Sequence, residues 1–284
     1  MCKLVIDTGA LARNLEKLRH YTSARIIAVV KGGGYGLGLV PYARWLTAQG
    51  VDMLAVSSVT EAAALRDAGI TADVLMLAST ALPEEVSALL ARNVILTVGS
   101  LEAARTVSAV AEEQGVTARV HIKLDTGMGR CGFLPGDVRE AAALLRFLPA
   151  LRVEGVFTHF AEAADRKRTA RQYRRFAAGV RILRTAGIDP GLRHVCASTA
   201  FLRIRLPLGN FLVQQRKIPL MNRFVPRIRK QERQRRGEIR HRLPRPECSG
   251  EPLVHCRLLV GCCDGKNPHP CIAASVLDIL LFKN

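Results

Sequence analysis

Ile26-Ile27-Ala28-Val29-Val30-Lys31-Gly32-Gly33-Gly34-Tyr35-Gly36-Leu37-Gly38 joins an unbroken apolar, largely β-branched run to a lysine, then to five glycines and one tyrosine within seven residues. Such a run reads as a strand buried on both faces, with Lys31 at its carboxyl end. In α/β barrels that end carries the chemistry, and glycines beyond it let backbone N–H groups come close to an anion. Neither G-x-G-x-x-G nor G-x-x-x-x-G-K-[ST] fits, because here the lysine precedes the glycines.

Working outward, short apolar runs alternate with longer amphipathic ones. Strands are expected at 26–31, 53–58, 73–78, 94–99, 119–125, 153–159 and 194–198. Between them, the helix from Glu61 to Ala68 stops at Gly69, Ser100 caps a run that stops at Gly115, and Asp137 with Glu140 has capping-box spacing. Repeated β-then-α units with buried strands predict a parallel sheet, closed as a (β/α)8 TIM-type barrel rather than an open doubly wound sheet. Only seven strands are countable, so the barrel is expected to be incomplete, with one sheet edge unpaired.

A lysine on a barrel strand beside a phosphate-sized loop suits a Schiff base with a phosphorylated aldehyde such as pyridoxal phosphate. VVKGGGYGLG resembles the pyridoxal-phosphate attachment site of alanine racemases, usually V-V-K-A-N-A-Y-G-H-G. Other pieces follow in order. Leu4 to Asp7 and the helical segment with Asn14 and Leu15 resemble the family's opening, Leu54 to Gly69 its second-strand segment, and Leu75 to Leu77 its third. His121-Ile122-Lys123-Leu124-Asp125-Thr126-Gly127-Met128-Gly129-Arg130-Cys131-Gly132-Phe133 resembles H-x-K-x-D-T-G-M-G-R-x-G-F, Thr158-His159-Phe160-Ala161 resembles T-H-F-A, and His194 to Ala200 resembles H-x-x-N-S-A-A with Ala197 in place of asparagine.

The resemblance implies roles. Lys31 holds the cofactor and, once freed, serves one face of the substrate as a base. Arg130, whose planar donors suit a carboxylate or phenolate oxygen, sits beside the cofactor's phenolic oxygen and the substrate carboxylate. Lys123 takes the position that many members carbamylate, a lysine paired with Asp125 or another acid being the alternative. His159 lies near the cofactor ring, and Tyr35 and Ser198 offer hydroxyls to the phosphate. The implied activity is interconversion of L- and D-alanine, with D-alanine destined for peptidoglycan. A serine or other small amino-acid racemase and an inactive cofactor-binding relic are the alternatives.

The resemblance covers residues 1–202, roughly 70% of the chain, and ends there. The family's V-R-P-G-I-x-x-Y-G and the V-G-Y-G that carries its second catalytic tyrosine are absent, and the chain's four tyrosines are Tyr21, Tyr35, Tyr42 and Tyr173. Racemase activity is therefore expected to be weak or nil, and the family's homodimer, which uses that second domain, is in doubt. Residues 203–284 form an Arg/Pro/Cys-rich tail with 17 Lys and Arg against 6 Asp and Glu, which accounts for +11 of the net +18. Composition and family pattern change at one point, as a shifted reading frame near residue 203 would produce. A nucleic-acid arm over Arg203 to Arg245 is disfavoured, because few aromatics interleave. A metal site from the late cysteines is disfavoured too, for want of C-x-x-C pairs. With 49% hydrophobic residues, no secretory pattern at the start and no apolar run near 20 residues, a cytoplasmic protein without a membrane span is expected.

Overall fold

The computed structural model describes residues 6–22, 24–196, 200 and 278–283. They lie in one compact unit, Ile6–Gln214 together with Ala274–Asn284. After α1 (Thr8–Tyr21), strands and helices alternate: β1 (Arg25–Val29), α2 (Lys31–Tyr35), α3 (Leu39–Ala48), β2 (Met53–Val56), α4 (Val59–Asp67), β3 (Asp73–Met76), α5 (Pro83–Leu90), β4 (Leu96–Val98), α6 (Leu101–Glu113), β5 (Ala118–Lys123), α7 (Val138–Leu145), β6 (Leu151–Phe157), α8 (Arg166–Thr185), β7 (Leu192–Cys196) and β8 (Asp278–Lys283).

All seven expected strands form. Their ladder runs β3-β2-β1-β8-β7-β6-β5-β4, and the parallel bridge Leu75↔Ile95 joins β3 to β4. The ring is therefore closed, and the open sheet is excluded. The expectation of an unpaired edge is corrected. β8 fills the gap between β1 and β7 but runs antiparallel to both, pairing Arg25↔Phe282 and Val29↔Asp278 on one side and Arg193↔Lys283 on the other. β8 pairs five residues with β1 and three, across a register shift, with β7, and so supplies the missing neighbour without the family's eighth-strand motif.

Alternation along the strands separates two cores. Ile26, Ala28, Leu54, Val56, Val74, Val120 and Ile122 face the helices. Ile27, Val29, Met53, Ala55, Leu75 and Ile95 fill the barrel interior on the β1–β4 side. On the β5–β7 side three positions of opposite parity to Val120, Ile122 and Val195 are polar, while Leu192 packs against the apolar interior. His121, Lys123 and His194 are all buried there.

At the amino end of the strands, Arg119 donates to both carboxylate oxygens of Asp73 (2.7 and 2.9 Å) and to Glu154 (3.0 and 2.9 Å). This half-buried network holds the Asp73 carboxyl below the usual range and the Arg119 guanidinium above it, in each case chiefly through the hydrogen bonds that join them. The Ser100 cap forms as expected, and Asp7 and Ser58 cap α1 and α4 as well, each side chain accepting from a backbone N–H one turn on; α4 thus begins at Val59, ahead of the expected Glu61. Asp137 is a correction, for it precedes α7 in a helical conformation and makes no side-chain cap bond.

Candidate active site

Every described candidate lies at the carboxyl ends of the parallel strands. Lys31 follows β1, Lys123 ends β5, Arg130 lies in the loop after β5, and His159 follows β6. Ser198 lies outside the described residues. Lys31 stands two residues beyond Val29, at the first position of α2, and is half-buried.

The glycines after Lys31 form a left-handed turn, with φ of 63, 63 and 68° at Gly32, Gly33 and Gly34 and 54° at Tyr35. Consecutive residues in this region call for glycine. The turn's N–H groups do not face an open anion site, which corrects the expectation placed on them. Gly32 and Gly33 donate to Glu61 Oε1 at 2.6 and 3.4 Å, and Gly34 donates to the Val30 carbonyl at 2.8 Å. An anion does sit against the loop, but it is a side chain of α4.

Asp125 builds the second loop. Its Oδ1 accepts from the N–H groups of Gly127 and Met128, and its Oδ2 from Gly129 and Arg130, at 2.8–3.0 Å. Burial alone would raise this carboxyl's pKa, and the four donors outweigh it and hold it below the usual value. The turn presents Arg130 as an exposed side chain. Because both Asp125 oxygens serve the backbone, the alternative of a Lys123–Asp125 ion pair is not what forms.

Lys123 is 4% exposed, with Nζ 4.7 Å from the centre of the Phe157 ring. Burial lowers its pKa. Cys131 opposes this, Arg130 lowers it further, Asp125 opposes, and Lys31 lowers again. The electrostatics thus tie Lys31, Lys123 and Arg130 into one neighbourhood. Deeper in, His121 Nδ1 lies 3.0 Å from His194 Nε2, and the His194 ring stacks on Phe157 at 4.7 Å and 7°. Among the described residues, no group of three or more His, Cys, Asp or Glu side chains could hold a metal ion.

The model of the family described as alanine racemase, N-terminal domain, matches residues 6–212. The chain belongs to the alanine racemase family. It is similar to the alanine racemase of Methanococcus maripaludis, 38% identical over 202 residues covering 69% of this chain and 54% of the relative. The alanine racemase of Limosilactobacillus fermentum is 43% identical over 181 residues, 61% and 48% of the two chains. Among solved structures, the Bacillus anthracis alanine racemase with bound L-Ala-P superposes with a TM-score of 0.66 at 33% identity, covering 70% of this chain and 53% of that one. The chain thus spans about half the length of the alanine racemases it matches.

The donor set at the mouth fits a phosphorylated aldehyde. A primary amine, a phenol and a guanidinium stand on loops of one barrel end, with a histidine two residues beyond β6. Two working parts escaped the sequence reading. Glu61 stands three residues after Ser58, a capping-box spacing that would have singled it out. The His121–His194 contact leaves no local signal, because its partners lie on different strands.

Proposed function

We propose that this chain binds pyridoxal phosphate through Lys31 and carries the half of alanine racemisation that acts on one face of the substrate. The observation that supports this best is the placement of Lys31 after β1, of Lys123 at the end of β5 and of Arg130 in the loop that follows, at one barrel mouth with Lys123 buried. When bound, the cofactor supplies an electron sink for the pair left as the α-proton departs. Lys31 attaches it, and after release takes or returns the proton on its own side. Arg130 pairs with the substrate carboxylate, His159 and Tyr35 orient the ring and phosphate, and Ser198 adds a hydroxyl.

Lys123 is the carbamylation candidate. Its buried amine adds to dissolved CO2 and releases one proton, and the resulting anion orients Arg130. A carbamate carbon signal in 13C-bicarbonate, lost in Lys123→Arg, is the expected readout. The substrate reading is alanine, with D-alanine feeding peptidoglycan in a cytoplasmic setting. We divide the chain into a barrel over 1–202, which takes β8 (Asp278–Lys283) from the tail to close its ring, and a tail over 203–284 that arises from a frame change. Translating the downstream DNA in the other two frames should recover R-P-G or V-G-Y-G.

The deciding experiment is borohydride reduction of the full chain with pyridoxal phosphate, followed by peptide mapping. Label on the peptide holding Lys31, absent in Lys31→Ala, is expected. An unlabelled Lys31 would overturn the reading.

A further inference from the structure

Glu61 belongs to the first turn of α4, where its own N–H donates to the Ser58 hydroxyl at 3.2 Å. Its backbone is thereby fixed, and its carboxylate reaches past the helix to two neighbouring loops. Oε1 accepts from Gly32 and Gly33, the two residues directly after Lys31, at 2.6 and 3.4 Å. Oε2 accepts from the Ser57 N–H at 2.9 Å and the Ser57 hydroxyl at 3.3 Å. Ser57 directly follows β2, and β2 is the parallel partner of β1. One carboxylate therefore bolts the exits of two adjacent strands together, at the end of the barrel where Lys31 stands.

Charge matters in this arrangement as well as shape. Two successive N–H groups that converge on one point make a concavity that calls for an anion, and hydrogen bonds to an ionised acceptor are roughly twice as strong as neutral ones. A left-handed glycine turn has little stiffness of its own, since glycine has the largest conformational freedom to lose. The carboxylate is what gives this turn one orientation.

We infer that Glu61 is the positioning residue for Lys31, fixing the peptide planes after it so that its amine leaves β1 in one direction toward the mouth. This rests on the reading of Lys31 as the cofactor lysine. Glu61 touches no reacting atom. It acts through the Gly32 and Gly33 amides, and it also removes those amides from the donors that a cofactor phosphate could use.

The test compares the full 284-residue chain with Glu61→Ala, Glu61→Gln and, as a control at the opposite barrel end, Asp73→Asn. Asp73→Asn costs stability by weakening its bonds to Arg119 but leaves the mouth intact. Three readouts are taken at equal folded fraction: the rate at which Lys31 captures pyridoxal phosphate, the label trapped there by borohydride, and hydrogen exchange of the peptide spanning 31–38. Glu61→Ala should capture cofactor roughly 10- to 100-fold more slowly, the scale of an ångström-level misplacement, and should lose protection in that peptide. Glu61→Gln keeps one acceptor oxygen, enough for Gly32 and Gly33 but not also for the Ser57 N–H, and should recover only part of the rate, while Asp73→Asn should match wild type. Capture by Glu61→Ala at the wild-type rate overturns the inference while leaving the cofactor reading intact. A wild-type chain that captures nothing overturns both. Should Glu61→Ala not fold, partly slowed capture in Glu61→Gln and slowed capture in Ser57→Ala carry the same decision, and capture by both at the wild-type rate refutes it.

Discussion

His121 Nδ1 and His194 Nε2 meet at 3.0 Å inside the barrel, across β6, with neither side chain exposed to solvent. One ring nitrogen donates and the other accepts. His121 Nε2 and His194 Nδ1 have no partner, so in either tautomer the pair leaves one N–H and one lone pair unmet. Adding a proton would put a buried charge near Lys123 and Arg119.

Acid should therefore unfold this barrel early. Burial first, then Arg119, lowers the His121 pKa from 6.5 to about 3, with Asp73 opposing. Burial, His121 and Lys123 lower that of His194. Between pH 6.5 and 3 the unfolded chain binds protons that the folded chain refuses, so stability falls as pH drops through that window. His121 alone should remove about 2 kcal/mol at pH 5. Denaturant midpoints at pH 7 and pH 5 measure the loss, and His121→Gln should flatten the slope.

The histidine pair exists because residue 155 is glycine. A Cβ built there would lie 2.6–2.7 Å from three atoms of the His121 ring. Gly155→Ala should cost about 1–3 kcal/mol, the usual scale of overpacking. Thermal unfolding reads this directly, and His121→Ala in the same chain should recover most of it.

Asp125 organises the loop that presents Arg130. Asn in its place keeps one acceptor oxygen for four N–H groups, so two lose their partner. Asp125→Asn should lose about 1–3 kcal/mol in denaturant titration and should weaken the hold of Arg130 on a carboxylate, seen as a raised KM for substrate more than a lowered kcat.

A single base leaves a signature. All four tyrosines precede residue 203, so the family's second base is not supplied by the tail. In D2O with pyridoxal phosphate, the chain should exchange the α-hydrogen of one alanine enantiomer while racemising it roughly 100- to 10,000-fold more slowly, the range one acid–base group contributes. Equal rates of exchange and racemisation in NMR and chiral chromatography would refute this, and Lys31→Ala should abolish both.

Local pattern made much of this legible. Seven runs of buried strand residues gave seven strands, because burial on both faces leaves a composition that survives without context. Lys31, Lys123, Arg130 and His159 could be placed at strand ends from the same runs. What sequence concealed are relations between distant residues. The glycine amides looked available until Glu61 was seen to hold them, and His121 paired with His194 at a separation no window spans. β8 was concealed for the same reason, since Asp278 to Lys283 is short and takes its place from β1 and β7, not from a motif of its own.

The reversed polarity of β8 bears on how the molecule comes together. The parallel neighbours of the ladder are close in the chain, so each can zip onto the last as it forms, whereas β8 is remote in sequence from both β7 and β1. The seam opposite must wait for Arg25 to find Phe282, the most entropically demanding encounter in the ring. The slowest kinetic phase of folding should therefore be the one that seals both edges of β8.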